Sequence, residues 1–153
     1  MRTSQESIMK RRMVSSIILF TITFVAMLVF VGLYIDETKR TQETYYVQYT
    51  TNLKHVSEDI SSYLNAEGDK DFRYTRIVSD MSSANSFAFL LDRLSEEDKK
   101  AVNELNACIM KYPEQMPAKL GDMQKAVDDI LAGLDKGYEE AQALVDSIDK
   151  LGH

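Results

Sequence analysis

Residues 13–35 read MVSSIILFTITFVAMLVFVGLYI, and these 23 residues contain no charged side chain. As an α-helix with a rise of 1.5 Å per residue, the stretch is about 34 Å long, enough to cross the ~30 Å hydrocarbon core of a bilayer. Its two serines and two threonines can return hydrogen bonds to carbonyls of their own helix. The stretch therefore predicts a transmembrane helix.

Two other interpretations of this stretch compete with an uncleaved anchor. A cleavable signal peptide has an apolar region of about 7–15 residues followed by a small-x-small site. This stretch is longer, and Gly32 is the small residue near its end that keeps the possibility of cleavage open. A buried helix of a soluble protein would rarely be this long without a polar face. An uncleaved anchor fits the pattern best.

Basic residues flank the apolar stretch unequally. Lys10, Arg11 and Arg12 directly precede it, whereas the two basic residues that follow it, at positions 39 and 40, stand close to acids at positions 36 and 37. The positive-inside rule then places the N-terminus in the cytoplasm. We expect a single-pass protein of the cell membrane with a basic cytoplasmic tail at 1–12, a transmembrane helix at 13–35 and an extracytoplasmic domain at 36–153. The lipid bilayer is its first predicted partner.

The predicted outer domain is acidic and poor in metal ligands. Residues 36–153 contain 14 basic and 23 acidic residues, a net charge of −9, so we expect no binding to nucleic acid, whose phosphates need a cationic surface. Cys108 is the single cysteine of the chain, and it falls on an apolar helical stripe. His55 and His153, the two histidines, lack the spacing of a metal site. We therefore predict neither a disulfide within the chain nor a metal or other cofactor.

The first outer segment has the apolar spacing of a helix. Tyr49, Leu53, Val56, Ile60 and Tyr63 follow one another at steps of four, three, four and three residues, which is one apolar stripe on a helix. No Gly or Pro separates the apolar stretch from this stripe after position 35. The transmembrane helix is therefore predicted to continue as one helix to about residue 65, with its tyrosines in the core.

The second helix is predicted after a break at Ala66–Asp71. Gly68 suits the left-handed conformation past a helix end, and an aspartate at position 69 or 71 suits the next N-cap. The apolar pattern then predicts a helix over residues 72–94. The apolar run at 87–91 is too short to cross a membrane and is interpreted as core.

The third and fourth helices are also delimited by local signals. Ser95 and Asp98 form the pattern of a capping box, which begins a third helix that ends near Tyr112, before Pro113. A fourth helix is predicted from Ala118 onward.

The fourth stripe contains Leu134 and extends to Leu151. Gly133 and Gly137 interrupt it, and they can mark a bend or break or allow another helix to approach closely; we predict a bend or break. Short loops between all the helices favour antiparallel neighbours. The predicted fold is all-α, an N-terminal transmembrane helix continuing into an antiparallel four-helix bundle.

The sequence contains no motif of a catalytic site. The sequence has no Gly-rich phosphate loop, no nucleophile motif and no His–acid pair with a catalytic rationale. Its acids fall mainly off the apolar stripes, as on solvated helix faces. We predict no enzyme and no catalytic residue. We predict instead an extracytoplasmic interaction or scaffold module that binds another membrane or envelope protein or a second copy of itself.

The layout resembles the extracytoplasmic four-helix bundle of bacterial chemoreceptors and sensor histidine kinases, in which an N-terminal anchor with a basic inner flank continues into the first bundle helix. The resemblance implies a ligand site at the end far from the membrane, where Arg73 and Arg76 of the second helix would lie. Two arginines one turn apart can clamp a carboxylate. The competing interpretation pairs them with Asp69, Asp71 or Asp80 as weak surface ion pairs.

The families that the layout resembles have a second transmembrane helix and cytoplasmic signalling modules after the bundle. We expect neither after His153. The alternative predicted function is therefore a ligand-binding, sensor-like accessory domain without a signalling module of its own.

Overall fold

All the regular secondary structure within the described residues is helical. The computed structural model describes residues 2–65, 68–133 and 135–150, and it contains five α-helices and one short 3-10 helix. The all-α class is therefore confirmed. The α-helices are α1 (Arg2–Leu64), α2 (Lys70–Ala88), α3 (Glu96–Lys111), α4 (Leu120–Leu131) and α5 (Lys136–Asp146), and the 3-10 helix Met116–Lys119 precedes α4.

The chain divides into two units, Met1–Thr41 and Gln42–His153, and the division falls within α1. In the first unit every side chain from position 5 to position 40 is exposed. The hydroxyls of Ser16, Thr21 and Thr23 each donate to the carbonyl four residues earlier, at 2.9 Å, as predicted for this stretch. α1 is thus one long helix whose N-terminal part is long and apolar enough to cross a membrane.

The core of the second unit is built on the predicted stripe of α1. Tyr49 is 1 % exposed, and Leu53, Val56 and Ile60 are fully buried, so the interpretation of this stripe as core is confirmed for these four residues. Tyr63, the last member of the stripe, is partly buried and packs against the core. Apolar residues from the other four helices complete the core, among them Ile77, Met81, Val102, Leu105, Ile109, Leu120, Met123, Val127, Ala141 and Val145.

α2 runs antiparallel to α1. The Gln42 side chain at the start of the second unit bonds the turn after α2, whereas Asp59, five residues before the end of α1, pairs with Arg73 in the first turn of α2. α3 in turn runs antiparallel to α2. Tyr74, near the start of α2, donates to the carbonyl of Ile109 near the end of α3 at 2.8 Å. These contacts therefore make α2 antiparallel to both α1 and α3.

α2 ends at Ala88, six residues before the predicted end at position 94. The side chain of Gln42 holds the turn that follows, because its Nε2 donates to the Leu90 carbonyl and its Oε1 accepts from the Asp92 amide, both at 3.0 Å. A side chain 50 residues away in sequence thus replaces the helical hydrogen bonds that the local pattern favoured.

The turn after α2 separates the apolar residues that were interpreted as core. Ala88 and Leu91 are fully buried, whereas Phe89 is 52 % and Leu90 47 % exposed. The core interpretation of residues 87–91 is therefore wrong for Phe89 and Leu90.

The predicted fourth helix is two helices that run antiparallel. Gly133 has φ +74°, a left-handed conformation that glycine adopts without steric cost, and α5 then folds back along α4. Lys125 of α4 pairs with Glu140 of α5 at 2.9 Å. The predicted break is confirmed, and the single fourth helix is wrong. Leu134 and Leu151, two members of the predicted stripe, lie outside the described residues.

The alternative interpretation of the glycines, that they allow another helix to approach closely, applies to Gly137. A Cβ at this position would lie 2.6 Å from the Ile130 amide nitrogen and 2.8 Å from the Ala126 carbonyl oxygen. Only glycine therefore lets α5 approach the backbone of α4 this closely.

The predicted helix caps are confirmed at α2 and α3, although α2 begins at Lys70, two residues before the predicted start at position 72. Gly68 has φ +72°, and Asp69 is the N-cap of α2, accepting from the amides of the residues at positions 71 and 72. Ser95 and Asp98 form the capping box of α3, with bonds of 3.1 and 3.2 Å. Ala66 and Glu67, which belong to the predicted break before α2, lie outside the described residues.

Candidate functional site

The two arginines predicted to bind a ligand both contact one carboxylate of the chain itself. Asp59 of α1 is 3 % exposed, and among the described residues it is the one buried side chain that is polar or charged. Arg73 Nη1 donates to Asp59 Oδ1 at 3.1 Å, and Arg76 Nε lies 2.9 Å from Oδ2. Oδ2 has no partner with hydrogen-bond alignment, so its contact with Arg76 is an ion pair and not an aligned hydrogen bond.

The structure gives these arginines a partner that the sequence did not suggest. The competing interpretation named Asp69, Asp71 and Asp80, but Asp69 caps α2 and the arginines bond Asp59. Asp59 directly precedes Ile60 on the apolar stripe of α1, but this position alone does not indicate which residues of another helix it contacts.

Two guanidinium groups face one carboxylate, so the cluster of Asp59, Arg73 and Arg76 has a net charge of +1. The Arg73 side chain is 27 % exposed and that of Arg76 is 46 % exposed. The Arg73 side chain is therefore largely buried against Asp59, whereas the Arg76 side chain also faces solvent. Ligand binding by these arginines stays a prediction.

A second polar contact lies inside the core. The hydroxyl oxygens of Tyr49 on α1 and Tyr138 on α5 are 3.3 Å apart. Burial raises the pKa of both hydroxyls above the ordinary tyrosine value, and their proximity raises that of Tyr49 further. Burial likewise raises the pKa of Tyr74 to about 12. These hydroxyls are protonated hydrogen-bonding groups at neutral pH, and the first two tie α1 to α5.

Open clefts lie on the surface of the second unit. One of about 400 Å³ lies between α3 and α5, another of about 270 Å³ lies between α4 and α5, and one of about 180 Å³ lies beside Cys108. The α3–α5 cleft is acidic. It is lined by Glu97, Asp98, Lys100, Ala101, Asp135, Tyr138, Glu139 and Gln142.

Neither a thiol nucleophile nor a metal cluster stands out at these clefts. Cys108 is 4 % exposed, and burial raises the pKa of its thiol, which keeps it from forming the reactive thiolate. Within residues 2–65, 68–133 and 135–150 no group of three His, Cys, Asp or Glu side chains is placed to hold a metal ion.

Comparison with known proteins assigns no family to this chain. No protein-family model, no curated protein and no solved structure matches the chain. The features of the chain that bear on its function are the exposed apolar stretch of α1 and the surfaces of the second unit.

Proposed function

We propose that the chain is a single-pass membrane protein whose helical second unit stands outside the cytoplasm as an interaction module. One observation carries the proposal. The 23 charge-free residues at 13–35 belong to α1, and every one of their side chains is exposed, so none of this apolar surface is buried by the chain itself. Contact between such an apolar surface and lipid tails carries no free-energy penalty, whereas its contact with water is unfavourable.

The hydroxyls of the stretch support insertion into lipid. Ser16, Thr21 and Thr23 spend their donors on carbonyls of the same helix. Unsatisfied polar groups cost several kcal/mol each in hydrocarbon, and these bonds offset that cost. The basic residues at 10–12 then favour a cytoplasmic N-terminus.

Alkaline carbonate extraction of membranes tests the anchor. We expect the parent chain to stay in the membrane pellet, and the double variant Val25→Asp, Val29→Asp to be released, because each aspartate at a helix centre costs about 2.5–3.5 kcal/mol on insertion. The matched control is Thr51→Asp with His55→Asp, at two exposed positions of α1 with the same spacing, which should stay in the pellet. Release of the parent chain would contradict the anchor.

The role of the second unit is to bind another membrane or envelope protein or a second copy of the chain. It is acidic and helical, and its described clefts are open to the surroundings. A photoreactive amino acid at an exposed position on each of three helices, in place of Thr51, Glu97 or Asp146, tests this role in cells. We expect adducts from one face and not from the others; an absence of adducts at all three positions would count against an interaction module.

A sensor-like ligand domain is the second candidate, and the exposure of Arg76 favours it. This arginine contacts Asp59 through Nε, and its side chain is 46 % exposed, so its terminal nitrogens can bind a carboxylate from outside. A thermal-shift screen of small carboxylates and amino acids on the full chain should then give stabilisation that Arg76→Gln removes and that Lys54→Gln, at an exposed ion pair of α1, retains. A screen without a stabilising compound would reject this candidate.

A further inference from the structure

The turn after α2 presents two large apolar side chains to the surroundings. Phe89 is 52 % and Leu90 47 % exposed, although the next residue, Leu91, is fully buried. Neighbouring exposed apolar residues of this size mark a contact with another molecule or with a membrane more often than a single one does.

Side-chain contacts within the second unit stabilise this turn, so it is not a frayed helix end. Gln42 holds it through two hydrogen bonds of 3.0 Å, to the Leu90 carbonyl and from the Asp92 amide. Arg93, which follows the turn, is also held in place, because its guanidinium lies 3.8 Å from the ring centroid of Tyr46 and 3.3 Å from Glu43 Oε2. The chain therefore holds Phe89 and Leu90 outward with its own polar side chains.

The residue that holds the turn follows the apolar stretch closely in sequence. Gln42 comes seven residues after Ile35, and seven residues span at most about 25 Å even when fully extended. The headgroup layer on each side of the hydrocarbon core is itself about 5–8 Å thick. The turn is therefore tethered within reach of the bilayer surface on the side of the second unit.

We propose that Phe89 and Leu90 insert into the lipid interface, so that the second unit rests on the membrane through the turn after α2. Aromatic and leucine side chains are the residues that bind at this depth of a bilayer. The inference rests on the proposed anchor. It assigns the lipid surface, and not a second copy of the chain, as the partner of this turn.

Tryptophan fluorescence tests the contact directly, because the chain contains no tryptophan. Phe89→Trp is the test variant. Phe72→Trp is the matched control, because Phe72 is 58 % exposed and precedes Phe89 by about 25 Å along α2 at 1.5 Å per residue. Phe24→Trp, inside the apolar stretch, reports whether the chain is inserted at all.

The full-length variants are reconstituted in phosphatidylcholine nanodiscs with and without lipids brominated near the glycerol end of their acyl chains. We expect Phe89→Trp to emit at a shorter wavelength than Phe72→Trp. We also expect it to lose about half of its emission with brominated lipid, since interfacial side chains sit ~5–10 Å into the headgroup–acyl boundary. Phe72→Trp should lose none. Helical circular dichroism equal to that of the parent confirms the fold, and Leu90→Trp serves in place of a variant that fails this check.

Three results would overturn the inference, and they are distinguishable. Quenching of Phe24→Trp without quenching of Phe89→Trp, at the emission wavelength of Phe72→Trp, would reject the lipid contact and leave the anchor standing. A short-wavelength emission of Phe89→Trp that brominated lipid does not quench would assign the turn to a protein contact, such as a second copy. An unquenched Phe24→Trp would reject the anchor and the lipid contact together.

Discussion

Asp59 brings a carboxylate to the buried side of α1, and two arginines of α2 make that position tolerable. A buried charge whose partner is removed costs much more than an exposed one, because the remaining group stays desolvated and unpaired. Here the arginines are partly exposed, which lowers that cost. The neighbouring Glu58 pairs with Lys54 in solvent, at side-chain exposures of 61 % and 69 %.

We expect Asp59→Asn to lower the free energy of unfolding by about 1–3 kcal/mol, since it leaves two guanidinium groups without their counter-charge. Glu58→Gln, one residue away, should change it by less than about 0.5 kcal/mol because its ion pair is exposed. Urea denaturation of the full chain in detergent, followed by helical circular dichroism, measures both. Equal effects of the two variants would contradict the assigned role of Asp59.

The buried tyrosines make the domain sensitive to alkali. A raised pKa in the folded state means that the unfolded chain ionises first as pH rises, so stability is fully present below about pH 10 and falls above it. Tyr74, with a pKa of about 12, and the Tyr49–Tyr138 pair contribute in the same direction. We therefore expect unfolding between about pH 10 and 12.

Absorbance of the phenolate, measured together with circular dichroism, follows this transition. Tyr49→Phe should shift the alkaline unfolding midpoint upward, because it removes one of the hydroxyls whose pKa burial raises. The same variant should lose about 1 kcal/mol at neutral pH with the hydrogen bond to Tyr138. An unchanged alkaline midpoint in this variant would contradict the buried tyrosines as the origin of the pH dependence.

The local signals at single residues were readable from the sequence. Gly68, the Asp69 cap and the capping box of Ser95 and Asp98 need only neighbours within four residues, and the sequence indicated all of them. The partner of Arg73 and Arg76 was not readable, since it lies 14 and 17 residues away on another helix and depends on which faces of α1 and α2 meet.

At the scale of the elements, the sequence predicted which regions are helical. It did not predict the early end of α2 or the division of the fourth helix into α4 and α5. α3 was predicted within about a residue at each end because a capping box begins it and Pro113 follows it. α2 ends early because Gln42, from another helix, holds the turn. The fourth stripe became two helices, and a stripe alone cannot indicate this, because both arms of a hairpin can present the same apolar spacing.

The packing of α4 against α5 gives a test with an internal control. Gly137→Ala should destabilise the chain by about 1–3 kcal/mol, the usual cost of overpacking, because the new Cβ would meet backbone atoms of α4 at 2.6 and 2.8 Å. Gly121→Ala, in α4 with nothing within 4 Å of the new Cβ, should be neutral or stabilise by up to about 1 kcal/mol.

Thermal unfolding of both variants in the same detergent measures the difference between them. If Gly137→Ala were as stable as Gly121→Ala, then the close approach of α5 to α4 would be contradicted.

At the scale of the whole molecule, composition and hydropathy predicted the helical class, and the helices confirm it. The function is less accessible to sequence reasoning, because a binding surface is made of ordinary exposed residues that carry no motif. Phe89 and Leu90 illustrate this: their apolar character indicated core, and only the observed turn places them outside. The proposed topology can nevertheless be tested on the chain as a whole.

Labelling of single cysteines with a membrane-impermeant maleimide in intact cells tests the proposed topology most directly. In a Cys108→Ala background, Lys54→Cys follows the apolar stretch and Glu6→Cys precedes it, and both positions are exposed. We expect Lys54→Cys to be labelled in intact cells and Glu6→Cys only after the membrane is permeabilised, with both labelled equally in detergent. Protection of Lys54→Cys in intact cells would contradict an anchored domain outside the cytoplasm.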